Sequence, residues 1–125
     1  MRIAVTSMEK YLDSSVSERF GRSLYVFVAD TETRVVRIVD NHAFVELGLG
    51  SGTKIAEMLV SMEVEWVATG RIGTYSFQAL TNGGVKVVTL ATGSCREILD
   101  RLAAGGVKAA HEPTGQCKSD NEREG

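Results

Sequence analysis

Apolar residues recur along the chain in two patterns, short continuous runs and longer segments with helical spacing. The runs are rich in β-branched residues and are bounded by turn-forming residues, which is typical of strands. They predict five strands, at residues 2–6, 24–29, 34–39, 65–69 and 85–90. Helical spacing predicts three helices, which carry Ile55 and Leu59, then Phe77 and Leu80, and finally Ile98 and Leu102.

The connections between these elements predict the sheet. Only four polar residues, 30–33, separate the second and third strands, so these two should form an antiparallel hairpin. Helices separate the later strands, and such crossovers give parallel pairs with right-handed connections. The expected fold is therefore an α/β, ribonuclease-H-like domain. It has a five-stranded mixed sheet in the order 3-2-1-4-5, with strand 2 antiparallel, and three helices.

The sequence lacks the signals of a catalytic site. Hydrolytic proteins with this fold need several acidic residues that converge on metal ions, and residues 2–6 of the first strand contain neither Asp nor Glu. The two histidines, His42 and His111, lie in predicted loops and build no Ser-His-Asp or Cys-His arrangement. We therefore expect a protein that is not an enzyme.

The predicted topology brings several loops to one edge of the sheet, the rim at the carboxyl ends of the parallel strands. Ligands of open α/β sheets bind in this place. Three helix N-termini should face the same rim and offer backbone N–H groups to an anion. The residues expected to bind a ligand there are Ser7, Arg19, Phe20, Gly21, Arg22, Gly48, Gly50, Gly52, Gly70, Arg71 and Gly73.

Composition narrows the possible partners and the location. The net charge is -2 and no cluster of basic residues is present, so nucleic acid is not an expected partner. No apolar segment approaches the roughly 20 residues that span a bilayer, and the chain starts with a strand, which predicts a cytoplasmic protein. We expect residues 1–110 to form one domain. Residues 111–125 are almost without apolar residues and are expected to be a disordered tail.

The glycines at positions 48, 50 and 52 leave three interpretations open. Their spacing differs from G-x-G-x-x-G, and the loop lacks the lysine of a phosphate-binding P-loop. A nucleotide site is therefore less favoured than a flexible loop before a helix. The third interpretation, intermediate between these two, is a cradle of backbone N–H groups that binds a small ligand.

Cys95 and His42 are the only candidates for metal ligands. Cys95 begins a predicted helix, where the helix dipole favours the thiolate, although a small buried residue near a helix cap fits the same pattern. His42 follows the third strand and is either a ligand or a solvated loop residue. Cys117 lies in the predicted tail, and with Cys95 it forms no C-x-x-C pair.

Four segments together resemble the dinitrogenase iron-molybdenum cofactor biosynthesis family, which includes NifX-like and NafY-like carriers and the C-terminal domain of NifB. They are residues 3–7, 16–22, 48–52 and 70–73, and the resemblance extends over residues 2–106. It implies a carrier that binds an iron-sulfur or iron-molybdenum cluster, or its precursor, during cofactor assembly for nitrogen fixation. A cluster-assembly protein or a client protein would be its partner.

One position departs from the pattern that the resemblance implies. The family frequently has a histidine directly before Phe-Gly-Arg as the expected cluster ligand, and this chain has Arg19 there. A guanidinium group does not coordinate metals, but it pairs with anionic sulfide or oxyanion groups. Three hypotheses follow, in order of preference. The chain is a non-catalytic cluster carrier, or it is an interaction or regulatory module that has lost the cluster and binds a small anion or a protein partner. An unknown enzyme on the same scaffold ranks third.

Overall fold

The structure is a computed structural model that describes residues 1–114. Its five strands are β1 (Arg2–Ser7), β2 (Tyr25–Asp30), β3 (Val36–Asp40), β4 (Val64–Ala68) and β5 (Lys86–Val88). Its four α-helices are α1 (His42–Val45), α2 (Ser51–Ser61), α3 (Thr74–Asn82) and α4 (Cys95–Ala104). A single 3-10 turn spans Phe20–Arg22. No helix among the described residues is long and apolar enough to cross a bilayer.

The strands form one mixed sheet in the order β3-β2-β1-β4-β5, which confirms the predicted fold. β2 runs antiparallel to both of its neighbours, β1 and β3. β4 runs parallel to β1 and to β5. The carboxyl ends of β1, β3, β4 and β5 therefore share one edge of the sheet, and the amino end of β2 lies at the same edge.

Both faces of the sheet are covered, which explains why its central strands are continuously apolar. On one face, α2 and α3 bury a core that includes Ala4, Val28 and Val67 from the strands. On the other face, α4 packs against a second core that includes Ile3 and Val5. Alternate residues of β1 thus enter opposite cores, as the two-residue period of a strand requires.

Two short helical elements were not predicted from the sequence, and two strands are shorter than predicted. The 3-10 turn and α1 contain three and four residues, which is too short for a helical period to show. β3 begins at Val36 because Arg34 has a positive φ of 67°. β5 ends at Val88, since Leu90 has a φ of 58° and its N–H donates to the Gly70 carbonyl.

The chain after α4 follows the outer edge of β5. The N–H of Ala110 donates to the carbonyl of Val87 at 2.7 Å. The hydroxyl of Thr114 accepts a hydrogen bond from the N–H of Ile72 at 2.8 Å. The predicted tail, residues 111–125, thus begins within the described part of the chain, whereas its residues 115–125, with Cys117, lie outside the described residues.

Candidate functional site

The segment of residues 15–22 lies across the rim of the sheet and is fixed there by backbone hydrogen bonds. The N–H of Ser17 donates to the carbonyl of Thr6, at the end of β1, at 2.9 Å. The preceding N–H, of Val16, donates to the carbonyl of Gly93 at 3.0 Å. The segment therefore connects the end of the central strand with the loop that precedes α4.

Arg19 and Arg71 are paired residues of a parallel β-bridge at this rim. The N–H of Arg71 donates to the Glu18 carbonyl at 2.7 Å, and the N–H of Phe20 donates to the Arg71 carbonyl at 2.8 Å. Because paired residues of neighbouring strands project to the same side, the two guanidinium groups start from adjacent backbone positions. The arrangement concentrates positive charge at one point of the rim.

The close approach of the two chains depends on Gly70. A Cβ atom at this position would lie 2.5 Å from the Glu18 carbonyl oxygen and 2.7 Å from that of Ser17. Both contacts are with backbone atoms, which cannot rotate away, so any side chain would separate the two segments. The N–H of Gly70 instead donates to the Ser17 carbonyl at 3.1 Å.

A groove of about 570 Å³ opens beside the bridge. Its walls are residues 15–19 on one side, Gly70 and Arg71 at the centre and residues 90–93 on the other side. Arg19 and Arg71 contribute two positive charges to the lining and Glu18 contributes one negative charge. The volume lies in the range of small-ligand sites, and the charge of the lining favours an anion.

A chain of four buried hydroxyl groups supports the segment from below. Thr6 Oγ1 donates to Thr69 Oγ1 at 2.7 Å, and Ser17 Oγ donates to Thr6 Oγ1 at 2.7 Å. The oxygens of Ser17 and Ser23 lie 2.6 Å apart, and Ser23 Oγ donates to the Arg19 carbonyl at 2.9 Å. This series of hydrogen bonds links the backbone of Arg19 to the ends of β1 and β4. These hydroxyls have no local sequence signal, because the residues that bear them are distant in sequence.

The three predicted helix N-termini differ in their freedom to bind an anion. The N-terminus of α4 is closed by a capping box between Ser94 and Glu97. The N–H groups of Cys95 and Arg96, between these two residues, donate to the carbonyls of residues 14 and 12. α2 and α3 begin after Gly50 and Gly73, which provide no side-chain cap. In the first turn of α3, the buried hydroxyl of Ser76 has no hydrogen-bond partner among the described residues.

The expectation that three helix N-termini are free is therefore wrong for α4. The physical reason is local: the α4 N–H groups already have acceptors in the loop of residues 12–14 and in the Ser94 side chain. An additional anion would have to displace those bonds. The two uncapped helices, α2 and α3, retain the potential that the sequence assigned to all three.

The predicted ligand-binding residues occupy three kinds of position. Arg19, Gly70 and Arg71 line the groove, and Arg22 is exposed at the end of the 3-10 turn. Four others are buried in the fold: Ser7, Phe20, Gly21 and Gly52. The remaining three shape the entrances to helices: Gly48 and Gly50, with φ of 78° and 91°, lead into α2, and Gly73 leads into α3.

Cys95 and His42 lie in different surroundings, Cys95 in the core and His42 at the exposed surface. Cys95 is fully buried in the core beneath α4, and this burial raises the pKa of its thiol, although the hydroxyls of Ser7 and Ser14 act in the opposite direction. His42 lies on α1, which packs against α2, and its ring Nδ1 is 2.7 Å from an Asp40 carboxylate oxygen. The backbone N–H and ring of His42 hold the pKa of Asp40 below its ordinary value.

The described residues do not assemble a metal-coordination cage. No group of three or more His, Cys, Asp and Glu side chains within residues 1–114 is placed to hold a metal ion. With its pKa raised, the Cys95 thiol is a poorer ligand than its place at a helix N-terminus predicts. The site offers guanidinium and backbone N–H donors. These groups bind anions through hydrogen bonds and charge, and they do not coordinate a metal.

Comparison with known proteins agrees with this fold. A family model described as dinitrogenase iron-molybdenum cofactor matches residues 1–105. The chain is similar to the apo form of the orange protein from Desulfovibrio gigas, at 36% identity and a TM-score of 0.84, over 91% of this chain and 96% of that one. No curated protein sequence matches the chain.

Two further solved structures share the architecture. A NifB-like protein of the DUF35 family from Thermotoga is 32% identical, with a TM-score of 0.74, over 92% of this chain and 97% of that one. A dinitrogenase-like protein from Methanocaldococcus jannaschii has a TM-score of 0.64 over 90% of this chain and 97% of that one. At 11% identity, the second of these supports the fold alone.

Proposed function

The chain belongs to the dinitrogenase iron-molybdenum cofactor family, and from this membership we propose that it carries an anionic metal–sulfur cluster, or a precursor of one, during cofactor assembly. The cluster is cargo, held at the groove beside the Arg19–Arg71 bridge and passed to a client protein. The protein performs no catalysis in this role. The observation that carries the proposal is the pairing of Arg19 with Arg71 at the wall of a groove of about 570 Å³.

The chemistry of the groove suits a preformed cluster better than single metal ions. Bare cations would meet two guanidinium groups and would find no set of three ligands among the described residues. A preformed cluster presents anionic sulfur or oxygen at its surface, and arginine pairs with such groups through several N–H donors. Outer contacts of this kind break without a ligand exchange at the metal, which favours transfer to a client.

A further element supplies donors close to the same rim. The uncapped first turn of α3 starts three residues after Arg71, and its backbone N–H groups carry the positive end of the helix dipole. The buried hydroxyl of Ser76 lies in this turn and has no hydrogen-bond partner among the described residues. An anion at the rim would thus meet both side-chain charge and oriented backbone dipoles.

Anaerobic reconstitution tests the proposal. The full chain is incubated with iron, sulfide and molybdate, separated from free reagents, and examined by its absorption spectrum and its metal content per protein. We expect a coloured complex in the wild type and in Cys95→Ala, and loss of the colour in the double variant Arg19→Ala/Arg71→Ala. Arg101→Ala, in the exposed last turn of α4, is the matched control for loss of a positive charge.

The absence of a ligand cage among the described residues favours one alternative, a module that binds a small oxyanion or a protein partner without a cluster. The same experiment separates the two functions. A wild-type chain that stays colourless but binds molybdate in equilibrium dialysis would support the alternative. Loss of the colour in Cys95→Ala with retention in the double arginine variant would contradict the proposed mode of binding.

A further inference from the structure

The two edges of the sheet differ in how they are covered. Residues of the chain after α4 lie along the outer edge of β5, where Ala110 donates to the Val87 carbonyl. Along the outer edge of β3, the described part of the chain places no strand. An open edge presents unpaired N–H and C=O groups, which are a template for another strand.

The hydrogen bonds at both ends of β3 show which groups face outward. Asp30 N–H donates to the Val35 carbonyl, and Asn41 N–H donates to the Leu24 carbonyl, so Val35 and Asn41 point their backbone groups toward β2. Pairing alternates along an antiparallel ladder. The backbone groups of the three even-numbered residues, at positions 36, 38 and 40, therefore point away from the sheet.

The side chains on this edge are also unusually apolar for an exposed strand. Val35, Val36 and Ile38 are 55%, 40% and 49% exposed, and all three are β-branched residues that favour strands. Natural edge strands are commonly protected by charge or proline. Within β3 and the residue before it, Arg37 and the terminal Asp40 are the only charges.

We propose that β3 pairs antiparallel with β3 of a second copy of this chain, with Arg37 on the two-fold axis. In this register Val36 lies opposite the partner's Ile38, and its N–H and C=O bond to that residue. Val35 faces the partner's Val39 on the other side of the sheet. Arg34 comes beside the partner's Asp40, so opposite charges meet at each end of the paired segment. The strand is thus complementary to itself in shape and in charge.

The neighbouring register is less complementary. With Ile38 on the axis, Val36 would lie opposite the partner's Asp40 and would lose its apolar neighbour. The proposed register has one unfavourable pair, because two Arg37 side chains meet at the axis, and like charges directly opposite each other weaken a strand pair. We therefore expect a dimer of moderate affinity, with a dissociation constant on the order of 10 µM.

The dimer is independent of the anion groove. Because the two β3 strands run in opposite directions, the rims of the two copies point to opposite ends of a continuous sheet. Each groove, beside Arg19 and Arg71, remains open to its own ligand. The protein would therefore use one surface, β3, for self-association and another, the groove at the rim, for its proposed ligand.

Sedimentation equilibrium of the full chain and of two lysine variants tests the surface. We expect the wild type to dimerise and Ile38→Lys to weaken dimerisation by at least about tenfold, since a charge replaces an apolar residue in both contacts. Leu49→Lys places the same charge at a residue that is 74% exposed and lies outside β3, and it should leave the dimer unchanged. A wild type that stays monomeric at about 100 µM, or an equal effect of both variants, overturns the proposal.

Cysteine cross-linking tests the register in a Cys117→Ser background. Arg37 pairs with its own copy at a non-hydrogen-bonded position, where the Cα atoms are about 4.5 Å apart and a disulfide can form. Arg37→Cys should therefore form a covalent dimer under mild oxidation at least about tenfold faster than Ile38→Cys, whose copies are offset along the ladder. Equal rates, or faster cross-linking of Ile38→Cys, overturn this register. Cys95 is buried and does not compete.

Discussion

Arg19 and Arg71 occupy paired positions of a parallel β-bridge, although they are 52 positions apart in sequence. Because the two backbone positions are adjacent, an anion bound there would interact with both guanidinium groups, and more strongly at low ionic strength. Under the proposed function, the affinity for the anion therefore depends on both arginines.

The first prediction concerns the number of donors that Arg71 supplies. With tetrathiomolybdate as a soluble molybdenum–sulfur anion, we expect wild-type binding to weaken by about tenfold in Arg71→Lys and by a larger factor in Arg71→Ala. Lysine keeps the charge but loses the planar fork of N–H donors. Titration followed by the absorption of the anion gives the three affinities. Equal affinities for wild type and Arg71→Ala would remove Arg71 from the site.

Salt dependence provides a control for the same variants. If the rim binds the anion through charge, affinity for tetrathiomolybdate falls as ionic strength rises, and the slope is shallower in Arg71→Ala than in the wild type. Arg101→Ala, which removes an exposed charge at the other end of α4, should show the wild-type slope. A slope that changes equally in both variants would indicate a general charge effect.

The second prediction concerns Gly70, whose missing side chain lets two backbone segments touch. In Gly70→Ala the new Cβ would meet the Glu18 carbonyl oxygen at 2.5 Å, so we expect the free energy of unfolding to fall by about 1–3 kcal/mol. Urea denaturation measures this change. Gly106→Ala is the matched control, because its Cβ meets no atom within 4 Å. A Gly70→Ala protein as stable as the control would mean that the segment shifts without cost.

The sheet could be predicted from the sequence because its signals are local. Each strand is a short run rich in apolar and β-branched residues, and a connection of a few polar residues or a helix determines the direction of the next strand. The Ser94–Glu97 capping box also lies within four residues, and the spacing of a serine and a glutamate three positions apart is visible in the sequence. Patterns that extend over one element or one connection thus gave the strand order and the start of α4.

The candidate site could be predicted only in outline, because its contacts join distant segments. Topology brought Arg19 and Arg71 to the same rim, but the bridge between them depends on the absent side chain of Gly70. The use of the α4 N–H groups by residues 12–14 has no local signature either. Phe20 was expected in the site and is instead fully buried in the core, where its aromatic ring anchors the segment.

The third prediction concerns the capping box of α4. The Ser94 hydroxyl accepts the N–H of Glu97 at 3.1 Å, and the Glu97 carboxylate accepts the N–H of Ser94 at 3.1 Å. Ser94→Ala removes the first of these bonds, and we expect a loss of about 1 kcal/mol in the free energy of unfolding. Ser94→Asp keeps a side-chain acceptor and should retain most of the stability. Thermal unfolding of the three proteins checks the order.

The fourth prediction follows from the burial of Cys95. Burial raises the pKa of its thiol above the ordinary value of 9.0, so in the folded protein the thiol keeps its proton at a pH where the unfolded chain releases it. Between the two pKa values the folded state binds more protons, and the free energy of unfolding therefore decreases as pH rises. Below pH 8 this group has no effect on the pH dependence.

Urea denaturation between pH 8 and pH 10.5 measures the effect, with Cys117→Ser as the reference protein. We expect its stability to decline as pH rises above about 9, and the decline to be smaller when Cys95→Ala is added, because the alanine side chain does not ionise. Alkylation by iodoacetamide at pH 7.5 should likewise leave Cys95 of the folded reference protein unmodified, since the thiol is buried and protonated. Rapid alkylation, or identical pH slopes in the two proteins, would show an accessible thiolate and would restore Cys95 as a candidate metal ligand.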